Sequence, residues 1–301
     1  MNRRWARNTI GVVLVAIGII ALFQYQFGGV KSKEYEHTLK LDGLKELAIT
    51  SDSLGIEVEF VPSTDGSNSI HIAGKAKPEV IDQIKSARVN NGKLDLRMKE
   101  KWRIGFFDFS GWNDKQIVTV ALTDEAQKSL EEFKLNSDSG SVRVDGAAAV
   151  NGSVQTDSGS IKLSSFQGEA WSLKSDSGSI KLDSYDGSNL SMTSDSGSIH
   201  AGTVRAKLKA SSDSGSITVD HLSGVTEVKS DSGSIRIVKE DDTGANVSSD
   251  SGSVRITVPA SYNGSYDLKS DSGSIHNPDP VGTSGELIKV RTDSGSIRIN
   301  Q

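Results

Sequence analysis

Cysteine is absent from this 301-residue chain. Its absence excludes disulfides, thiol catalysis and metal sites built from thiolates. Aromatic residues are also scarce, at 6% of the chain, so small and β-branched side chains must fill most of any core. The formal net charge of −5 provides no general attraction to a phosphate backbone, and we therefore expect no nucleic-acid partner.

Charged side chains are missing from a segment near the N-terminus, residues 9–27, which follows Arg3, Arg4 and Arg7. A helix of this length, rising ~1.5 Å per residue, is just long enough to cross a hydrocarbon layer of ~30 Å. Arginines before such a helix hold the N-terminus in the cytoplasm. We expect residues 1–8 to be a cytoplasmic tail, 9–27 a single-pass transmembrane anchor in the cell membrane and 28–40 a linker and first strand, with the bulk of the chain extracytoplasmic.

A cleaved signal peptide is the alternative interpretation of this segment, because Ala21 follows a short apolar stretch. Ile19, two residues before Ala21, is a poor match to the small residues that a cleavage site requires. An uncleaved anchor is therefore the preferred interpretation.

The hexapeptide SDSGSI, or a close variant of it, recurs through the C-terminal half of the chain. Its copies follow one another every 18 to 22 residues, and such regularity is typical of a solenoid in which each repeat forms one coil. Repeated serines and aspartates do not indicate catalysis, because an active site needs its residues only once. The aspartates of the nine copies are Asp138, Asp157, Asp176, Asp195, Asp213, Asp231, Asp250, Asp271 and Asp293.

Apolar residues occupy fixed places in each repeat. The residue four positions after the aspartate is always isoleucine or valine, as at Ile161, Ile180, Ile199 and Ile217, and the residue two positions further is usually apolar. An apolar period of two predicts a strand after each aspartate, and an apolar position before the aspartate predicts a second strand. We therefore predict an all-β fold in which 136–301 form a regular β-solenoid of ~19-residue coils, stacked ~4.8 Å apart.

The segment Ser-Asp-Ser-Gly is predicted to form the corner between the two strands. In this hypothesis the aspartate carboxylate accepts backbone N–H groups in an Asx-turn, and the glycine adopts the left-handed conformation. The last two repeats are longer and contain Pro259, Pro278 and Pro280, so the last coils should bulge. The final SIRINQ is expected to form an uncovered end of the rod.

Residues 41–135 lack the sharp repeat, but LAITSDSLGIEVEF reproduces its apolar spacing around Asp52. Strands are predicted at 69–73 and 116–122, a helix at 78–84 and a hairpin turn at 89–93. We expect divergent solenoid coils with insertions that cap one end of the stack, because an unpaired sheet edge recruits other chains.

The apolar segment near the N-terminus, the degenerate ITSDSLGIEVEF coil and the serial SDSGSI coils together resemble the toast-rack family of bacterial adhesin-like β-strand repeat proteins. The resemblance spans nearly all of 40–300. The short anchored form is similar to the LiaG-like proteins of Gram-positive bacteria, which implies an association with cell-envelope stress. The resemblance supplies no catalytic motif.

A column of aspartates, one in each coil, is a candidate for calcium binding between coils, as in calcium-binding β-rolls. Those rolls use a nonapeptide with two glycines before the aspartate, whereas each aspartate here is surrounded by serines, which are poor calcium ligands. A structural role of the aspartates in the turn is favoured. A calcium-binding adhesin stays open as an alternative.

Five positions after the aspartate the side chain is predicted to point outwards, and six of the nine copies carry a permanent cation there. On an acidic protein these cations would form a basic stripe able to follow an anionic cell-wall polymer or a lipid headgroup surface. Local charge balance with the aspartates is the competing interpretation. The basic stripe consists of Arg143, Lys162, Lys181, Arg236, Arg255 and Arg298.

The segment KWRIGFFDFSGW interrupts the repeat and concentrates aromatic side chains. It is interpreted as a cap that packs over the end of the solenoid, or alternatively as a hydrophobic patch that contacts a membrane or a partner protein. The aromatic residues are Trp102, Phe106, Phe107, Phe109 and Trp112.

No constellation of residues predicts an enzyme. The histidines have no unique nucleophile beside them in the pattern, and no carboxylate pair of the coils differs from its neighbours. A carbohydrate-active solenoid similar to pectate lyases is kept as the alternative. The sequence as a whole predicts a noncatalytic, membrane-anchored protein that binds or scaffolds a cell-wall polymer or another envelope protein, without a cofactor or a metal.

Overall fold

The computed structural model describes residues 32–99, 114–279 and 282–301. With 59% strand and 6% helix, the fold is all-β. The elements in chain order are β1 (Lys33–Lys40), β2 (Glu46–Ser51), β3 (Gly55–Pro62), β4 (Ser69–Ala76), α1 (Pro78–Ser86), β5 (Lys93–Met98), β6 (Lys115–Leu122), α2 (Asp124–Lys128), β7 (Glu132–Ser137), β8 (Val142–Asp145), β9 (Asn151–Thr156), β10 (Ile161–Ser175), β11 (Ile180–Ser194), β12 (Ile199–Ser212), β13 (Ile217–Ser223), β14 (Thr226–Ser230), β15 (Ile235–Lys239), β16 (Ala245–Ser249), β17 (Val254–Thr257), β18 (Ser265–Ser270), β19 (Ile275–His276), β20 (Leu287–Thr292) and β21 (Ile297–Asn300).

Each regular coil contributes to two stacks of parallel strands that meet at the Ser-Asp-Ser-Gly corner. Strand segments before the corner form the first stack, in the spatial order β5, β2, β7, β9, β10, β11, β12, β14, β16, β20 and β18. Segments after the corner form the second stack, in the order β6, β3, β8, β10, β11, β12, β13, β15, β17, β21 and β19. The long strands β10, β11 and β12 take part in both stacks. Stacked parallel coils of this kind are a β-solenoid, as predicted.

The predicted isoleucine column lies at the centre of the core. Ile161, Ile180, Ile199 and Ile217 pair in register in successive strands and are each at most 1% exposed. Burial of one such side chain contributes about 1.5–3 kcal/mol. The column is therefore a main source of the stability of the stack.

The corner glycines are required by the close approach of stacked coils and not by a left-handed backbone. In the described repeats none of the corner glycines has a positive φ. A Cβ atom on Gly159 would lie 2.0 Å from the carbonyl oxygen of Gly140 in the neighbouring coil, and one on Gly178 would lie 2.0 Å from that of Gly159. The expectation of left-handed glycines at this corner is wrong, because it is the neighbouring backbone that leaves no room for a side chain.

A buried hydroxyl, and not the aspartate carboxylate, makes the hydrogen bonds between side chain and backbone at the corner. At Asp176 the N–H of Gly178 donates to Ser175 Oγ at 2.8 Å, and Ser175 Oγ donates to the carbonyl oxygen of Gly159 in the neighbouring coil at 3.1 Å. The same two bonds recur along the stack, with threonine in place of serine at Thr156. The expected Asx-turn is therefore replaced by a ladder of hydroxyl groups that binds each corner to the next.

The last coil of the chain is not the last coil of the stack. β20 lies between β16 and β18, and β21 lies between β17 and β19. The chain skips one place after β17, forms the outermost coil with β18 and β19, and then returns to fill the gap. The last repeats are longer because of their connecting segments. Residues 258–264 connect β17 to β18, two coils further along the stack, and residues 277–286 connect β19 to β20, one coil back. The expectation that SIRINQ forms the uncovered end is therefore wrong, since β18 and β19 form that end.

The opposite end of the stack is closed by α1 and by antiparallel strands. α1 begins with Pro78, buries Val80, Ile81 and Ile84, and packs against β5 and β1. β4 pairs antiparallel with both β1 and β6, an arrangement that the repeat pattern does not predict. The predicted turn is present at Asn91 and Gly92, whose φ angles are 50° and 79°. The N-terminal third thus covers one end of the parallel stack.

Two predictions lie outside the described residues. One is the transmembrane anchor at 9–27. Within the ranges that the structure describes, no helix has the length and apolar character needed to span a membrane. The other is the aromatic segment, with Trp102, Phe106, Phe107, Phe109 and Trp112.

Candidate anion-binding surface

The basic stripe lies on the outer face of the second stack, and its six side chains are exposed. The structure divides them into two groups, because His200 and Thr218 occupy the two places in between. Within each group the residues are direct partners in adjacent parallel strands. The first group is Arg143, Lys162 and Lys181, and the second group is Arg236, Arg255 and Arg298.

Acidic side chains form ion pairs with two of the three cations of the first group, Arg143 and Lys181. Arg143 Nε lies 2.9 Å from Asp145 Oδ2 and 3.5 Å from Glu57 Oε1. The hydrogen bond to Asp145, together with its charge, raises the pKa of Arg143. Lys181 Nζ lies 3.8 Å from Asp183 Oδ1 in the same strand. Local charge balance therefore describes this half of the stripe.

Lys162 belongs to the same compensated region. Burial pushes the pKa of Asp145 upwards, but hydrogen bonds from Ser164 and Arg143 and the positive charges of Arg143 and Lys162 outweigh burial, so this pKa is lowered. The Asp145 carboxylate is held ionised by these neighbours. This single carboxylate pairs with Arg143 and attracts the charge of Lys162, which forms no ion pair of its own among the described residues.

The second group has no such partners. Among the described residues, no acidic side chain lies within ion-pair distance of Arg236, Arg255 or Arg298. In the first group an aspartate lies two residues after Arg143 and after Lys181, at Asp145 and Asp183. In the second group the same position is occupied by Val238, Thr257 and Asn300. We call Arg236, Arg255 and Arg298 the arginine ladder. Its members follow one another at the ~4.8 Å spacing of neighbouring strands.

A column of serine hydroxyls runs beside the arginine ladder. These serines close each SDSGS segment, two residues before each arginine of the ladder and before His276. Ser274 Oγ donates to Ser296 Oγ at 3.2 Å. With the ladder and His276 they line a shallow cavity of about 420 Å³. Sequence reasoning missed them as candidate ligand groups, although every copy of the repeat contains one. They are Ser234, Ser253, Ser274 and Ser296.

The inserted last coil sets the order of the ladder. Arg298 of β21 pairs with Arg255 on one side and with His276 on the other, although His276 comes first in the chain. Guanidinium groups donate to carboxylate or phosphate oxygens in a fixed fork geometry, and serine hydroxyls add a further donor. One guanidinium and one hydroxyl at each place make a linear site for a row of anionic groups.

The aspartate column lies at the corners, where most of its side chains are exposed. Lys174 Nζ is 3.0 Å from Asp176 Oδ1, and Lys229 Nζ is 3.0 Å from Asp231 Oδ1. The hydrogen bond and charge of each aspartate raise the pKa of its lysine. Within the described part of the chain, no group of three or more acidic or histidine side chains is arranged to hold a metal ion. Lysines two residues before the aspartate thus reduce part of the repulsion between the stacked aspartates.

Comparison with known proteins places this architecture in a family. Residues 44–300 match the family described as Toastrack DUF4097. The chain belongs to the Toastrack family. The resemblance inferred from the repeats is thereby confirmed at the level of the family, over almost all of the solenoid.

Several solved bacterial structures are similar to this Toastrack chain. A "putative lipid binding protein" from Parabacteroides distasonis has 18% identity and a TM-score of 0.50, covering 89% of this chain and 97% of that chain. A "putative adhesin" from Bacteroides fragilis has 16% identity and a TM-score of 0.44, with 89% and 97% covered. Another "putative adhesin" from Parabacteroides distasonis has 12% identity and a TM-score of 0.46, with 89% and 98% covered. Such identities concern the fold alone. No curated protein matches this chain.

Proposed function

We propose that this Toastrack protein is a noncatalytic binding rod of the cell envelope that holds an anionic polymer along the arginine ladder. The observation that carries the proposal is the in-register row of Arg236, Arg255 and Arg298, which have no acidic partner among the described residues. Like charges on directly paired strand residues are destabilising. A bound row of anions removes that repulsion, which gives the unpaired cations a role.

The width of the site favours a polymer chain over a flat surface. The ladder is one cation wide, with serine hydroxyls on one side and Val238, Thr257 and Asn300 on the other. A membrane surface presents charge in two dimensions, whereas a chain of phosphate or carboxylate groups presents it in one. We therefore take a linear polyanion of the cell wall as the ligand, with anionic lipid as an outcome of the test.

The binding test uses two variants that remove the same charge. In the ladder variant Arg236, Arg255 and Arg298 become Gln, and in the matched control Arg143, Lys162 and Lys181 become Gln. Full-length protein in detergent is titrated with purified teichoic acid by calorimetry at two salt concentrations. The ladder variant is expected to lose at least about tenfold in affinity and most of the salt dependence, since charge-assisted hydrogen bonds contribute about 1.5–3 kcal/mol each.

The control variant is expected to bind like the unmodified protein, because Arg143 and Lys181 are held in ion pairs and Lys162 is attracted by the Asp145 carboxylate. Equal losses in both variants would contradict the proposal, since general electrostatics would then explain the binding. Stronger binding to vesicles that contain anionic lipid than to teichoic acid would replace the polymer with a membrane surface as the ligand.

Absence of catalysis is part of the same proposal. The similar solved structures carry names of adhesins and of a lipid binding protein, which are names of binding proteins. The outer face of the described coils repeats the same few residue types, and a unique reactive group does not stand out from it. Turnover of cell-wall glycans by the full-length protein, lost on a single substitution, would contradict this part.

We further propose that residues 9–27 anchor the rod in the cell membrane and that the coils lie outside the cytoplasm, as in LiaG-like proteins. The uncharged segment after Arg3, Arg4 and Arg7 supports this topology. Protease added to intact protoplasts is expected to remove a C-terminal tag and to spare an N-terminal one. Protection of both tags would contradict the topology. An envelope-stress role predicts that antibiotics against the cell wall induce the transcript, and an unchanged transcript level would contradict that role.

A further inference from the structure

The outer edge of β18 carries unpaired backbone groups. Among the described strands β20 is its one neighbour. The N–H groups of Ser265 and Asp271 donate to carbonyl oxygens of the coil that contains β20. Alternate residues of a parallel strand direct their backbone groups to opposite sides. Tyr266, Leu268 and Ser270 therefore direct theirs to the open edge.

The core is also incompletely covered at this end. Leu268 is half-buried, whereas Val247 and Val290, which fill the same place in the two inner coils, are 0% exposed. Ile275 is 39% exposed, whereas Ile297 in the next coil is 0% exposed. An open strand edge beside apolar side chains is a template for pairing with another chain.

We propose that this end of the rod binds the same end of a second copy, through antiparallel pairing of the two β18 strands about a twofold axis at Leu268. In this register Leu268 pairs with Leu268 of the second copy, and Tyr266 pairs with Ser270 of the second copy. These are the residues whose backbone groups face the edge, so each pair exchanges hydrogen bonds in the regular antiparallel pattern.

The charges beside Leu268 fit this register. Asp267 and Lys269 flank it, and both are exposed on the outer face. Rotation about the axis brings Asp267 opposite Lys269 of the second copy, and the opposite-charge pair occurs twice. Within one chain Asp267 is bound by Arg291, and Lys269 Nζ lies 2.9 Å from Asp271 Oδ1, so both side chains are already ordered.

The other end of the rod does not offer an equivalent edge. There α1 packs against β5, and charged residues of β1 form the edge of the antiparallel strands. Pairing of like ends is therefore the expected mode, and it gives a closed dimer because it uses up both open edges. With eleven coils per copy and ~4.8 Å per coil, such a dimer is roughly 100 Å long.

Charge exchange tests the register. Lys269→Asp places two aspartates opposite each other, Asp267→Lys places two lysines opposite each other, and the double variant D267K/K269D restores the opposite charges. The full-length protein in detergent micelles is examined by sedimentation equilibrium. We expect a dimer for the unmodified protein, a dissociation constant at least tenfold higher for each single variant, and recovery in the double variant.

The matched control is Lys229→Asp. Lys229 occupies the same place in an inner coil and makes the same ion pair, with Asp231. This variant is expected to dimerise like the unmodified protein. A monomeric unmodified protein, a double variant no better than the single ones, or an equal loss in the Lys229 variant would overturn the proposal.

A cysteine on the axis gives a second readout that does not depend on charge. The chain has no cysteine, so Leu268→Cys is its single thiol. Directly paired residues of antiparallel strands have Cα atoms ~5.5 Å apart, within the range of a disulfide. Mild oxidation is expected to give a covalent dimer of the Leu268 variant and none of a Lys229→Cys control. Failure of the Leu268 variant to cross-link would overturn the twofold register.

Discussion

Arg298 lies directly beside Arg255 in the second stack, although the chain forms a whole further coil between them. That coil, which contains His276, lies outside both arginines in space. Because the path of the chain returns to fill the place beside Arg255, Arg298 continues the row of Arg236 and Arg255. The same path leaves β18 as the open edge of the rod.

Substitution of a corner glycine is expected to destabilise the stack strongly. A Cβ atom on Gly178 would lie 2.0 Å from the carbonyl oxygen of Gly159, and neither backbone can move without breaking its own coil. We expect Gly178→Ala to lower the free energy of unfolding by at least about 2 kcal/mol. The control is Gly285→Ala, where nothing lies within 4 Å. Urea denaturation measures both, and equal effects would contradict the steric explanation.

Loss of a corner hydroxyl is expected to destabilise more than loss of an exposed one. Ser175→Ala leaves the N–H of Gly178 and the carbonyl of Gly159 without their buried partner, at a cost of about 1–3 kcal/mol. Ser177→Ala in the same corner is expected to change stability by less than ~0.5 kcal/mol.

A threonine should rescue this position. In another coil Thr156 Oγ1 accepts the N–H of Gly159 at 2.9 Å, so Ser175→Thr keeps the bond. Thermal or urea unfolding of the three Ser175 and Ser177 variants checks the order. Equal stability of Ser175→Ala and Ser177→Ala would show that the hydroxyl ladder contributes nothing.

Tyrosine ionisation is expected to destabilise the fold at high pH. Burial, with a smaller contribution from the charge of Asp186, raises the pKa of Tyr185 to about 12, and its hydroxyl lies 3.1 and 3.0 Å from the carbonyl oxygens of Gly168 and Asn189. In the unfolded chain the pKa is about 10. The folded state holds the proton more tightly, so stability is unaffected below pH 10 and falls as the pH rises towards 12.

Urea unfolding between pH 9 and 12, with tyrosinate absorbance as a second probe, measures this slope. Tyr185→Phe removes one ionising group and should make the alkaline loss of stability less steep. An unchanged slope would contradict the assignment.

Removal of acidic partners should create binding capacity in the compensated half of the stripe. Asp145→Asn with Asp183→Asn frees Arg143 and Lys181 from their nearest carboxylates. We expect higher affinity for teichoic acid and a steeper dependence on salt than in the unmodified protein. The control D42N/D82N removes the same two negative charges from exposed residues outside the basic stripe and outside the β18 edge. Calorimetric affinities that rise equally in both variants would contradict a local effect.

The core of the solenoid was predictable from the sequence because one period governs it. The alternation around Ile161 and Ile180 fixes which side chains face inwards, and register follows when identical repeats stack. The turn at Asn91 and Gly92 was predictable for a similar reason, since few residues tolerate its backbone.

The chemistry of the corner was not predictable from composition alone. Serine and aspartate both suit a turn, and only the stacking shows that Ser175 faces inwards while Asp176 lies at the surface of the corner. Burial then determines which of the two side chains makes the bonds of the corner, because a neutral hydroxyl is far less costly to bury than a carboxylate.

The division of the basic stripe into a group with acidic partners and a group without them was partly predictable from the sequence. Residues two apart in a strand share a face, so Asp145 and Asp183 signal compensation beside Arg143 and Lys181. The order of the last coils was not visible, because a longer loop shows that a strand has further to travel but not where it returns.

Disulfide mapping measures the position of the last coil directly. Ser253 and Ser296 lie next to the in-register pair of Val254 and Ile297, whereas Ser253 and Ser274 are two coils apart, at ~9.6 Å and beyond the reach of a disulfide. Oxidation of the otherwise cysteine-free chain is predicted to link the two thiols of S253C/S296C and to leave those of S253C/S274C free. A disulfide in S253C/S274C and none in S253C/S296C would mean that the coils stack in chain order, which would contradict the arginine ladder and the open edge together.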